Sequence, residues 1–170
     1  MASTEAIAAH RLPALTPEVQ AQLQQLVVDS HWNQLPADWA QFFQLGTLYA
    51  VRDARGAITA SGAVLPMGAP TAPGPAVSWI SMILVTPAQR GQGLGRAVFA
   101  SCLAQVLAED RVPMLDATPQ GEALYTQFGF EPQWRFTRWR RAQHGAAPGA
   151  THQALPLADG IDSLLRLDAQ

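Results

Sequence analysis

Apolar positions along this chain fall into a few periodic runs, and the period switches between helix and strand. Val19, Leu23, Leu26 and Val27 recur at helical spacing behind Thr16-Pro17-Glu18. That opening supplies a threonine cap, a proline in the first turn and an acid near the positive helix end, so a helix is predicted from residue 17, fading at Asp29-Ser30. A short helix is predicted over 38–45, ended by Gly46, and residues 48–52 and 58–65 read as a hairpin across Asp53-Ala54-Arg55-Gly56. The apolar run 77–85 is short enough for a buried strand, and Val98, Phe99, Cys102, Leu103, Val106 and Leu107 then return to helical spacing. A further strand is predicted over 114–117, with Asp116 on it. Leu124, Tyr125 and Phe128 mark a helix that opens at Thr118-Pro119 and closes at Gly129. Residues 130–141 predict one or two final strands, and 6–12 a weak first one. The expected fold class is α/β: an α+β mixed sheet with a strand–helix–strand crossover at its middle.

Between the 77–85 strand and the helix after it lies Arg90-Gly91-Gln92-Gly93-Leu94-Gly95-Arg96. Glycines there let backbone N–H groups crowd a ligand, and the first turn of a helix offers orphan donors and partial positive charge, which suits a diphosphate. Two glycine-loop chemistries are excluded by spacing. A P-loop needs a Gly-Lys pair, and the chain has no lysine; a dinucleotide fingerprint needs a third glycine where Arg96 or Val98 stands.

Composition changes this picture little. With 170 residues the chain suits one domain with a sizeable core. The net charge of −2, carried against eleven arginines, points to neither nucleic acid nor an anionic membrane. Arg135, Arg138, Arg140 and Arg141 do alternate with Trp134, Phe136 and Trp139, a pattern found on nucleic-acid surfaces, but four such residues on this background read better as a solvated strand face. The single cysteine, Cys102, sits in the apolar helical pattern and is expected to be a buried thiol. No basic segment leads into an apolar stretch, and no apolar run approaches about 18 residues, so neither a signal peptide nor a membrane span is expected, and the location expected is cytoplasmic.

The motif Arg90-x-x-Gly93-x-Gly95 after a strand, followed about thirty residues later by Tyr125 and Gly129-Phe130, resembles the GNAT N-acetyltransferase superfamily. The likeness spans 6–141 and is strongest over 79–130. Trp32-Asn33-Gln34, the aromatic strand around Trp79 and Leu115-Asp116-Ala117-Thr118-Pro119 resemble one bacterial subgroup that includes tandem two-domain proteins.

The resemblance implies an acyl-CoA N-acyltransferase fold with splayed central strands, and acetyl-CoA as co-substrate with no metal. It implies that Ile83, Leu84 and Val85 pair with the pantetheine arm, with the Ile83 N–H at the thioester carbonyl. It further implies that Gly91, Gln92, Gly93, Leu94, Gly95 and Arg96 supply amides to the pyrophosphate, with Arg90 and Arg96 as counter-charges. Tyr125 matches the family's general acid by position, its phenol near pKa 10 being suited to a leaving thiol near 8.5; packing beside Leu124 and Phe128 is the plainer role. No carboxylate stands on the 77–85 strand, so proton removal falls to Asp116 or, less well, His31 through water, or the amine arrives neutral. Trp32, Asn33, Trp79 and Asp116 would form the acceptor site. The expected activity is direct acetyl transfer to a primary amine of a small or amino-acid-like acceptor; the alternative is a non-catalytic acyl-CoA sensor or docking module. A homodimer through the final strands is compatible with the likeness. Residues 1–141 are read as the catalytic domain. Residues 142–170 are read as a linker plus terminal helix, either an ordinary one or the opening of a truncated second unit.

Overall fold

Thr16 accepts the Val19 N–H on its Oγ1 at 3.3 Å and starts helix α1, Pro17–Asp29, in a computed structural model that describes residues 7–68 and 74–137. Helix α2, Pro36–Leu45, begins two residues earlier than the pattern predicts, because the Asp38 carboxylate reaches back to accept the Leu35 N–H at 2.7 Å. Strands β1 (His10–Arg11), β2 (Thr47–Arg52), β3 (Ile58–Met67), β4 (Val77–Val85) and β5 (Val112–Met114) form one sheet in that order. The first four run antiparallel to their neighbours, and β5 joins β4 in parallel. Helix α3, Leu94–Ala108, makes the β4–β5 crossover, and α4 is Glu122–Thr126. The mixed sheet is as the sequence predicts.

Two cores flank it. On one face α1 and α2 bury Leu23, Leu26, Val27 and Trp39 against Leu48, Ala63, Met82 and Leu84. On the other, α3 buries Val98, Phe99, Cys102 and Val106 against Ala60, Val64 and Ile80, with Tyr125 and Phe128 packed alongside. Cys102 is fully buried, and desolvation pushes its thiol up to about 12, so it stays protonated and inert at neutral pH.

Helices α1, α3 and α4 end in the same way. His31, Asp110 and Gly129 adopt left-handed backbone, and the next residue's N–H reaches back across the turn: Trp32 to Val27 O, Arg111 to Val106 O, Phe130 to Tyr125 O. His31 does this with a Cβ, which costs about 1–2 kcal/mol in left-handed backbone. Part of that returns through the unfolded chain, so His31→Gly is expected to stabilise by about 0.5–1 kcal/mol and to raise Tm by roughly 1–4 °C in thermal denaturation. A lowered Tm would mean that the His31 ring itself holds the loop.

Three expectations are corrected here. The fifth strand covers Val112–Met114 rather than 114–117, so Asp116 lies two residues past it, exposed. Its last partner is Trp79, opposite Met114; beyond that pair β4 and β5 part, and a strand without a partner has no ladder to sustain it. Helix α4 starts at Glu122, not at Thr118, because Thr118-Pro119-Gln120-Gly121 forms a turn closed by Gly121 N–H to Thr118 O at 2.9 Å. Residues 130–137 hold no strand. Arg138, Trp139, Arg140, Arg141 and the 142–170 segment lie outside the described residues. The chain divides into two units, Met1–Glu131 and Pro132–Gln170.

Candidate active site

The β4 strand is built to be left by its neighbour and bent where it is left. Pairing with β5 covers only Val77, Ser78 and Trp79, so the stretch 80–85 has β3 on one side and no described strand on the other. Within that stretch the register slips: Ser81 faces Ala63 and Leu84 faces Ser61, which sets Met82 and Ile83 together against Gly62. Two residues against one is a β-bulge, and Met82 takes left-handed backbone (φ 55) to make it. The buried Ser61 hydroxyl donates to Met82 O at 2.9 Å and holds the distorted peptide in place. The slip also shifts the pleat. Ile80 faces α3, yet Met82 and Leu84 face α1 and α2, leaving Ile83 and Val85 on the α3 side.

Gly62 is what allows this geometry. A Cβ there would run into Val98 Cγ1 and lie 2.9 Å from both Cys102 Sγ and Ile83 Cδ1. Without it, α3 comes down on the sheet directly behind the bulge.

Past Val85 the chain makes a short 3₁₀ turn, Pro87–Gln89, then Gly91 (φ 76) and Gly93 (φ 86) swing the backbone into α3. The first α-helical bond is Ala97 N–H to Gly93 O at 3.0 Å. The amides of Gly91, Gln92 and Gly93 find no acceptor among the described residues, and those of Leu94, Gly95 and Arg96 precede that first bond. Six consecutive donors therefore stand at the positive end of a helix, an arrangement suited to a phosphate-rich ligand. Gly95 sits close enough to β4 that a Cβ would touch Val85 Cγ2 at 3.4 Å.

The two arginines of the loop are engaged. Arg90 donates through Nε to Val85 O at 3.2 Å and through a terminal nitrogen to Ser30 Oγ at 3.4 Å, which ties the loop to the end of α1. Arg96 donates to Gln127 Oε1 at 2.6 Å and stacks on Phe128. The α1–α2 loop with Trp32 and Asn33, both exposed, is pinned from the other side: Gln20 and Gln24 on α1 donate to Pro36 O (2.6 Å) and Gln34 O (3.0 Å).

Tyr125 is half-buried. Its ring lies 4.8 Å from Phe99, centroid to centroid, and 6.5 Å from Phe130. Burial, then the neighbouring Cys102, pushes its phenol above the ordinary value. Trp79 and Asp116 stand at the mouth of the splay, Asp116 in loop rather than on strand. A surface hollow of about 540 Å³ runs along α4, lined by Pro119, Glu122, Ala123, Thr126 and Gln127. Sequence reasoning missed Gly62, Ser61 and the bulge. A near-continuous apolar run such as Trp79-Ile80-Ser81-Met82-Ile83-Leu84 carries no mark of a slipped register, and only the glycine opposite it offers a signal.

The fold and one region of sequence point the same way. The Acetyltransferase (GNAT) domain family matches residues 44–132, just over half of the chain. The chain belongs to the GNAT acetyltransferase family. The match begins after the α1–α2 loop, so Trp32 and Asn33 fall outside it. Solved structures similar to this GNAT chain include an acetyltransferase from Trypanosoma brucei, 20% identical with a TM-score of 0.63, covering 78% of this chain and 98% of the other. Glucosamine-6-phosphate N-acetyltransferase from Arabidopsis thaliana is 14% identical, with a TM-score of 0.63 over 79% of this chain and 99% of that one. A GCN5-related N-acetyltransferase from Ralstonia eutropha is 15% identical, with a TM-score of 0.57 over 78% and 99%. These likenesses carry the fold. No curated protein sequence gives a match. Among the described residues no three His, Cys, Asp or Glu side chains gather as a metal site, and no helix is long and apolar enough to cross a membrane.

Proposed function

We propose that this GNAT chain is an acetyl-CoA-dependent N-acetyltransferase that acetylates the primary amine of a small or amino-acid-like acceptor. The observation that carries the reading is the unbroken run of main chain from the open edge of β4, through the bulge at Met82 and Ile83, to the six amides of 91–96. An extended pantetheine arm fits the first part and a pyrophosphate the second. In this reading Ile83, Leu84 and Val85 pair with the arm, and the Ile83 N–H takes the charge that develops on the thioester oxygen. A donor in that role contributes about 3–4 kcal/mol to the transition state. Gly91, Gln92, Gly93, Leu94, Gly95 and Arg96 hold the pyrophosphate through main-chain N–H groups, and Arg90 adds charge from beside Val85.

Tyr125 returns a proton to the departing thiolate. A phenol held above its ordinary range stays protonated at neutral pH, which is what an acid needs. Asp116 receives the amine's proton through water; its exposed position suits a solvent relay better than direct contact. Trp32, Asn33 and Trp79 line the acceptor's approach. Transfer is direct, since Cys102, the one thiol, is buried and protonated.

The missing β4 carboxylate keeps a second reading in view, a CoA-binding sensor without turnover. Titration calorimetry with acetyl-CoA, CoA and NAD, followed by assay against an amine panel, separates the two. Binding of both CoA species with acetyl transfer is expected. Binding of neither CoA species ends the acyltransferase reading, and tight binding with no transfer to any amine favours the sensor.

A further inference from the structure

Helix α4 has only five residues, too few to persist alone, yet it carries Tyr125. What holds it is therefore part of how that phenol is placed. Thr126 Oγ1 donates to Glu122 O at 3.0 Å, and the turn behind the helix closes on Tyr125 itself, whose carbonyl accepts from Phe128 N at 2.9 Å and Phe130 N at 3.2 Å. Phe99 of α3 then gathers Tyr125, Phe128 and Phe130 around its own ring, at centroid distances of 4.8, 4.9 and 5.5 Å.

Arg96 is the third residue of α3, where the positive end of the helix disfavours a cation. Its guanidinium finds compensation away from its own helix. One arm donates to Gln127 Oε1 at 2.6 Å, and its central carbon stands 4.8 Å above the Phe128 ring. Gln127 and Phe128 are the two residues that follow α4, in the turn closed on Tyr125 O. The same side chain thus stands in the glycine loop's helix turn and grips the segment that fixes the phenol.

We infer that Arg96 is a positioning residue for Tyr125, latching the turn after α4 to the first turn of α3, rather than a counter-charge for the pyrophosphate. This rests on the reading of Tyr125 as the acid. Its consequence is a coupling: whatever orders the glycine loop also orders the phenol.

Kinetics of Arg96→Met, Gln127→Ala, Tyr125→Phe and the Arg96→Met/Tyr125→Phe pair test it. Arg96→Met is expected to lower kcat about fivefold with KM for acetyl-CoA within about twofold, and to add nothing once Tyr125 is Phe. Gln127→Ala, which removes the same bond from the other end, is expected to move kcat in the same direction. Arg96→Lys keeps a cation near Phe128 but loses the planar fork that stacks there and reaches Gln127, and is expected to recover kcat only in part relative to Arg96→Met. A raised KM with unchanged kcat would make Arg96 a counter-charge and overturn the inference, as would full additivity in the pair.

A second readout is independent of turnover. The chain has two tyrosines, so the Tyr125 ring signals in a tyrosine-labelled NMR spectrum are assigned by Tyr125→Phe. Packing on Phe99 displaces them, and Arg96→Met is expected to bring them toward free tyrosine. If they do not move, the latch is refuted. If Tyr125→Phe alone leaves the rate untouched, the acid reading falls, and the ring signals still decide whether Arg96 places the ring.

Discussion

Tyr125→Phe is expected to lower kcat at least tenfold while leaving acetyl-CoA affinity, read by calorimetry, nearly unchanged. Phenylalanine keeps the ring that packs on Phe99 and Phe130, so the apolar cluster and the fold survive. The phenol oxygen makes no hydrogen bond among the described residues, so its removal orphans no partner, and the stability change should stay within about 0.5 kcal/mol. What is lost is the proton. Loss of a positioned acid typically removes 10²–10⁴-fold of rate, and tenfold is the lower bound where water substitutes in part. An unchanged rate would remove Tyr125 from the mechanism.

The pH dependence follows with a definite sign. Burial favours the neutral phenol, so its folded value lies above the ordinary 10.0. The acid therefore stays protonated and neutral up to pH 10, and kcat should hold to that point and fall beyond it. The same shift is a stability statement: the neutral phenol's contribution is fully present below pH 10 and is lost as pH rises through the raised value. An alkaline fall in kcat that begins well below pH 10 would assign it to another group.

Gly62→Ala carries the largest expected loss of stability. The new methyl has nowhere to go. Val98 and Cys102 are fully buried in front of it, and Ile83, in the bulge, closes the third side. Overpacking of this kind costs about 1–3 kcal/mol, which for a domain of this size lowers Tm by roughly 2–10 °C. The relief available is for α3 to lift from the sheet, and α3 carries the 91–96 amides with it, so acetyl-CoA affinity should fall as well. A paired substitution makes the cause testable. Val98→Ala removes the atom in the way, so Gly62→Ala/Val98→Ala should be more stable than the sum of the two single effects predicts. Strict additivity would mean that Gly62 is required for its backbone and not for its missing side chain.

Much of this fold is legible in the sequence because its helices announce themselves chemically. Thr16-Pro17-Glu18 gives the start of α1, and the 77–85 strand falls where the apolar run places it. The glycine loop is legible for the same reason, since its excluded alternatives depend on single residues that are absent. What stays hidden depends on partners. Leu115-Asp116-Ala117 continues the strand that Val112–Met114 begins only if a neighbour is there to pair with it; it follows the point where β4 leaves, and local sequence does not show that loss. Thr118-Pro119 imitates the helix start of Thr16-Pro17, yet Gly121 turns it into a separate turn and delays α4 to Glu122. For Arg90 and Arg96 the family resemblance implies counter-charges to an anion; the structure adds that each side chain has a protein partner.

The slipped register of β4 divides one strand into two halves that obey opposite substitution rules. Before the slip, even-numbered positions such as Ile80 answer to α3; after it, even-numbered positions such as Leu84 answer to α1 and α2. A single-residue deletion within 81–83 would restore a regular ladder with Leu84 still opposite Ser61 and each later side chain on its present face, so what it would remove is the bend itself. Loop length is the usual place where a protein tolerates gain or loss of a residue. Here the middle of a strand holds one residue more than its ladder needs, and the bent main chain at Met82 and Ile83 is what that residue supplies.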